Sequence, residues 1–220
     1  MDVLDLAAFR AAPLVRAPFD HLVLPGFVRP EARGPINADY PAVDTPGSYP
    51  LAQVSYGPAF RGLVDALEGP ELRAAFADKF GMDLDGRPTT ITVRGRCGTR
   101  DGNIHTDSLS KLITVLIYMN PAWEASGGRL RLLRSADDLE DVVAEVPPVE
   151  GTLVAFRRSD NSWHGHKPFV GPRRVIHLNW VTTQRAAKIT GLRHGLSTAA
   201  KRAASLARTL LGGGRPERAA

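Results

Sequence analysis

The chain of 220 residues has one cysteine, Cys97, which excludes an internal disulfide framework and fits a reducing compartment. A chain of this length buries a core without disulfides or structural metal. No stretch approaches the roughly 18 consecutive apolar residues that mark a transmembrane helix. Asp2 and Asp5 stand where a secretory signal would carry basic residues, so export by that route is not expected and a cytoplasmic setting is. No internal repeat occurs, and low complexity is confined to the alanine-rich C-terminal segment. With 43% hydrophobic and 23% charged residues, the composition is globular and excludes wholesale disorder.

Acidic charge is scarce in one place only. The net charge of +5 suggests a polyanionic partner, but it is unevenly distributed. From Gln184 to Ala220 eight basic residues face a single acid, Glu217, a local net of +7. The preceding 183 residues therefore carry −2. A mildly acidic body lacks the basic groove of a nucleic-acid binder, and no recognition motif for nucleic acid is present.

The first sixty residues are rich in Pro and Gly, and the cluster Phe19 to Phe27 reads as a short strand with turns. Between Gly57 and Phe80 the residues Phe60, Leu63, Val64, Leu67, Leu72, Ala75, Phe76 and Phe80 recur at spacings of three and four. That period predicts amphipathic helices broken at Gly69-Pro70. From Thr89 the pattern changes to short β-branched or aromatic runs: Thr90–Val93, Leu112–Met119, Leu130–Leu133, Thr152–Phe156 and Val175–Thr182. The Leu112–Met119 run is nearly continuous apolar, as a strand buried on both faces requires. Helices followed by strands predict an α+β fold whose strands form a sandwich or barrel.

Chemistry concentrates in three places. In His105-Thr106-Asp107 the first and third side chains project to one side of an extended chain, so imidazole and carboxylate can converge on one ion. Ser162-Trp163-His164-Gly165-His166 follows the Thr152–Phe156 strand, and one histidine there completes two His and one carboxylate. Such a facial triad leaves three positions of an octahedral iron(II) open. Arg174 opens the strand Arg174–Trp180, and alternation places it on the face that carries Ile176, Leu178 and Trp180. A guanidinium on an apolar face needs an anionic partner, and a small dicarboxylate could serve through bidentate bonds.

In order and spacing, the segment from Arg94 to Thr183 resembles the catalytic domain of the iron(II)- and 2-oxoglutarate-dependent dioxygenases, prolyl 4-hydroxylase-like branch. The matching features are His105-Thr106-Asp107, Tyr118-Met119-Asn120 with Trp123, Gly127-Gly128, Trp163-His164-Gly165 and Pro172-Arg173-Arg174. The resemblance implies a double-stranded β-helix (jelly-roll, cupin-like) core in residues 89–183, flanked by helices of a front half in residues 1–88. The two would form one domain, 1–183, followed by a basic amphipathic helical tail, 184–220. It further implies Fe(II) held by His105, Asp107 and His164. Arg174 would bind the distal carboxylate of 2-oxoglutarate, chosen over Arg173 because it sits six residues before Trp180, and Tyr118 would be a second donor. Ascorbate is the implied reductant. Asp107, in place of a small residue, favours hydroxylation over halogenation. The implied reaction hydroxylates an unactivated C–H bond while 2-oxoglutarate becomes succinate and carbon dioxide. The substrate is left open among small molecules, peptides, glycans and lipids.

Several residues carry plainer readings. His166, two residues from His164, reads as a group beside the site or on the surface in preference to one lining it, and His177, on the face opposite Arg174, as structural or outward. Arg94, Arg96 and Arg100 read as solvated loop arginines in preference to contacts for an anionic substrate. Lys111 and Thr114 could brace the ligand segment or the co-substrate. Cys97 reads as an inert small apolar group. The tail's stripe Ile189, Leu192, Leu196, Ala199, Ala203, Leu206 and Leu210 suits packing on its own domain or dimerisation. Its alternative is peripheral contact with an anionic inner membrane face. The rival functional class is a non-catalytic jelly-roll binding protein or membrane-associated sensor, against which the complete triad together with Arg174 speaks.

Overall fold

A computed structural model describes residues 2–189. Apart from residues 184–189, which are helical, the proposed basic tail lies outside the described residues. Four helices come first: α1 (Leu6–Ala11), α2 (Pro30–Ala38), α3 (Pro58–Glu68) and α4 (Pro70–Phe80). Pro30, Pro58 and Pro70 each open a helix, where a missing N–H costs nothing. The break expected at Gly69-Pro70 separates α3 from α4, and Gly81, left-handed at φ 60°, closes α4. Among the described residues no helix is long and apolar enough to cross a membrane.

Nine strands follow or interleave: β1 (His21–Leu24), β2 (Tyr49–Pro50), β3 (Thr89–Cys97), β4 (Lys111–Tyr118), β5 (Leu130–Leu133), β6 (Val142–Val146), β7 (Leu153–Arg157), β8 (His164–Gly165) and β9 (Gly171–Val181). They form an antiparallel six-stranded sheet, β1-β7-β4-β9-β3-β2, and a three-stranded sheet, β6-β5-β8. The front half is therefore not only helical, because β1 and β2 supply the outer strands of the large sheet. β1 falls within the Phe19–Phe27 cluster expected to hold a short strand, whereas β2, two residues ending in Pro50, is too short to show a period.

Alternation along β4 and β9 divides the interior into two layers. Ile113, Val115 and Ile117 of β4, with Ile176, Leu178 and Trp180 of β9, pack against the helices. Phe76 of α4 lies at the centre of that layer, 4.5 Å from the Phe9 ring and 4.8 Å from Trp180. The opposite faces of the same strands look toward the small sheet. There Leu116, Tyr118 and Val175 join Leu130, Leu132, Val146, Val154 and Phe156 in a second core. Burial on both faces accounts for the continuous apolar run in β4.

Candidate active site

Between the two sheets, beside the second core, the inner face turns polar and encloses a cavity of about 290 Å³. Its large-sheet wall carries Thr90, Thr92 and Arg94 of β3, Thr114 of β4, and Arg173, His177 and Asn179 of β9. The small sheet contributes His164, with His105 and Asp107 from the loop before β4.

Backbone pairing brings the two ligand segments together. His105 N–H donates to His164 O and His164 N–H to His105 O, each at 3.0 Å. One ligand atom each from His105, Asp107 and His164 then lies within 4.8 Å of the others. Nδ1 of His105 is 2.9 Å from Asn103 O and Nδ1 of His164 is 3.0 Å from Ser162 O. Donation from Nδ1–H to these carbonyls fixes each tautomer and leaves the Nε2 lone pair for a ligand. Gly165 stays small because a Cβ there would come within 2.8 Å of Gly102 O.

Asp107 is held from three sides. Lys111 Nζ donates to Oδ1 at 2.6 Å, Thr114 Oγ1 to Oδ2 at 2.5 Å, and Arg158 Nε to the backbone oxygen at 3.2 Å. Burial opposes ionisation, but the Lys111 ammonium and its hydrogen bond, with Thr114 and the nearby His164, hold the carboxyl well below its usual range. Thr114 Oγ1 is also 3.1 Å from the Asn179 carboxamide, which in turn is 3.3 Å from Thr90 Oγ1. One hydroxyl proton serves one acceptor. Asn179 Oδ1 faces Thr114 Oγ1 and Asn179 Nδ2 donates to Thr90 Oγ1, so Asp107 Oδ2 and Asn179 Oδ1 compete for the single Thr114 proton. The reading of Lys111 and Thr114 as braces thus has a specific form: both grip the same carboxylate. His164 is pushed down to about 4 by burial, against the pull of Asp107, so it is a neutral imidazole near pH 7.

Arg174 does not reach the cavity, which corrects the expectation that it faces a dicarboxylate. Its Nη1 donates to Asn37 O and Oδ1, both at 3.2 Å, and its guanidinium lies 5.1 Å from the Tyr40 ring centroid. Its face of β9 was assigned correctly, but that face packs on the helices. At the strand's start the apolar layer runs out, and an amide and an aromatic ring satisfy the cation without an anion.

Arg173, one residue earlier, points inward. It is only 3% exposed, donates from Nε to Gly128 O at 2.8 Å and from Nη2 to the Tyr118 hydroxyl at 3.2 Å. Both acceptors are neutral, so the guanidinium charge is available to a ligand. Tyr118 stands behind Arg173 rather than on the cavity wall. Burial raises its pKa despite Arg173 nearby, so it stays a phenol.

Three further expectations change. His177 lines the cavity instead of facing outward. Arg94 lies on β3 with its guanidinium 2.5 Å from Asp101 and lines the cavity too, so it is not a solvated loop residue. His166 is buried on the cavity wall, its Nδ1 2.8 Å from Lys167 O and its pKa pushed down to about 4 by burial and Arg173. The signal that could have found His177 and Arg94 is the polar alternation Thr90-x-Thr92-x-Arg94 and Arg173-x-x-x-His177-x-Asn179. Cys97 is buried and free, and burial raises its pKa, consistent with an inert group.

Residues 96–182 match the profile of the 2OG-Fe(II) oxygenase superfamily, a span that contains the triad, Tyr118 and Arg173. That stretch, 87 of the 220 residues, is similar to the superfamily. No curated protein matches this chain in sequence. Among solved structures it is similar to a Pseudomonas putida prolyl-4-hydroxylase, at 17% identity and a TM-score of 0.57 over 82% of this chain and 93% of that one. It also resembles HygX from Streptomyces hygroscopicus, crystallised with nickel and 2-oxoglutarate, at 13% identity and a TM-score of 0.52 over 74% and 82% of the two chains. A third likeness is to prolyl 4-hydroxylase from Phytophthora capsici, at 17% identity and a TM-score of 0.50 over 74% and 59%. These likenesses show the jelly-roll fold of this chain.

Proposed function

We propose that this protein is a 2-oxoglutarate-dependent oxygenase that hydroxylates an unactivated C–H bond of a small-molecule or peptide substrate, coupled to conversion of 2-oxoglutarate and dioxygen into succinate and carbon dioxide. The observation that carries the reading is the convergence of two imidazoles and one carboxylate on a cavity whose far wall is the buried Arg173. The donor set suits iron(II), and three protein ligands leave positions open for exogenous ones. Iron(II), once bound, would supply the activation of dioxygen that no side chain provides. Ascorbate would keep the metal reduced.

The protein's own part is ligation and orientation. His105, Asp107 and His164 would hold the metal, with Lys111 and Thr114 fixing the carboxylate and the Asn103 and Ser162 carbonyls fixing the rings. Arg173 would take the distal carboxylate of 2-oxoglutarate, with Tyr118 positioning the guanidinium from behind. The test is succinate release from 2-oxoglutarate by anaerobically iron-loaded protein exposed to oxygen. Turnover is expected in the wild type and lost in His164→Ala; equal turnover in both defeats the reading.

A further inference from the structure

The inner face of β9 presents Arg173, Val175, His177 and Asn179 in alternation. Three of these have evident partners. Arg173 meets Tyr118 and Gly128, Val175 belongs to the second core, and Asn179 joins the chain that reaches Asp107 through Thr114. His177 has no such role. It lies on the cavity wall between Thr92 of β3 and Leu116 of β4, and its Nε2 is buried without a hydrogen-bond partner.

A buried polar group left unpaired destabilises the fold unless something else satisfies it. Trp180 Nε1, the other unpartnered nitrogen on β9, sits in the helix-side core, where the indole is needed for its bulk. His177 offers no such compensation at the wall of a cavity. Burial holds its pKa well below the usual imidazole value, so the ring is neutral and carries one N–H to donate. At roughly 3.3 Å per residue, His177 is about 7 Å along the strand from Asn179 and about 13 Å from Arg173. It therefore stands nearer the metal end of the cavity, under the path from the triad to Arg173.

We infer that His177 is a positioning residue for the co-substrate, hydrogen-bonding the 2-oxo acid end of 2-oxoglutarate. This rests on the proposed function. Arg173 at one end and His177 toward the other would then fix both the place and the tilt of the ligand.

The test uses full-length protein loaded with Mn(II) and titrated calorimetrically with 2-oxoglutarate. One neutral hydrogen bond is worth about 0.5–1.5 kcal/mol, so His177→Phe and His177→Leu should bind the co-substrate about two- to tenfold more weakly. His177→Gln, which keeps an N–H, should restore most of the affinity. Mn(II) affinity, read by electron paramagnetic resonance, should stay unchanged in all three, which a general loosening of the fold would not allow. The charge-transfer absorption of the anaerobic Fe(II)·2-oxoglutarate complex should shift in His177→Phe and return in His177→Gln. Apolar variants that bind like wild type, or a Gln variant as weak as Phe, overturn the inference alone. Wild-type protein that binds no 2-oxoglutarate overturns the functional reading and this inference with it.

Discussion

Arg173 and Arg174 are adjacent and identical in type, yet β9 directs one into the cavity and the other onto the helix side. Replacing each by Met keeps the length and removes the charge. For Arg173→Met the lost interaction is a charge-assisted pair with a carboxylate, at about 1.5–3 kcal/mol per bond. One such bond corresponds to about 10- to 150-fold in Kd for 2-oxoglutarate. A second bond from the guanidinium fork would add to that, and Arg173→Lys should recover only part, because an ammonium lacks the fork. Arg174→Met loses two long bonds to Asn37 and a cation–π contact with Tyr40. That should cost about 1 kcal/mol of stability and leave 2-oxoglutarate affinity within twofold. The assay is calorimetric titration of the Mn(II)-loaded variants, with thermal unfolding alongside. Arg174→Met weakening the co-substrate more than Arg173→Met refutes the geometry from which both values were worked.

Three other perturbations probe different layers. A divalent metal at 100 times its Kd adds about 2.7 kcal/mol to the folded state, which raises Tm by about 5–10 °C for a chain of this size. Differential scanning fluorimetry with Mn(II) should show this in wild type and not in His164→Ala; a shift of equal size in both would place the metal elsewhere. Thr114→Val removes the donor to Asp107 Oδ2 and the link to Asn179, and metal affinity by competition with a chelator should fall about 10- to 100-fold. An unchanged affinity would mean that Lys111 alone orients the carboxylate. Phe76→Ala empties a fully buried ring site between Phe9 and Trp180, at a cost of about 3–5 kcal/mol by denaturant unfolding. A loss under 1 kcal/mol would show that the helix layer is not a packed support for the sheet.

Most of the fold was legible because its elements are regular. The α3–α4 pair and strands β4, β5, β7 and β9 have clear periods bounded by Gly, Pro or Asp, and each appears within a few residues of its expected span. The elements that escaped are short or irregular. β8 is two residues long, paired with β5 on one side and bridged to His105 on the other. β6 is a Val-rich run of only five residues, set between Asp141 and Pro147-Pro148, with Glu145 meeting Arg131. The triad could be read because a His-x-Asp pair and a later histidine are local patterns whose meaning does not depend on which face is inside.

The arginine required that knowledge, and ordinary reasoning about faces pointed the wrong way. In a sheet with one buried face, the apolar side of a strand is the inside and a charge there demands an explanation. β9 is buried on both faces: Ile176, Leu178 and Trp180 against helices, Arg173, His177 and Asn179 against a polar cavity. The face richest in apolar residues is then the one with no ligand beside it, and the site lies on the polar face, buried all the same. Strand β3 follows the same rule, with Ile91 and Val93 toward the helices and Thr90, Thr92 and Arg94 toward the cavity. Two adjacent strands that both alternate apolar with Thr, Asn, His or Arg, in a chain with helices enough to cover one side, therefore point to an enclosed polar site. Applied to this sequence, that criterion selects Arg173 over Arg174 and brings His177 into the site.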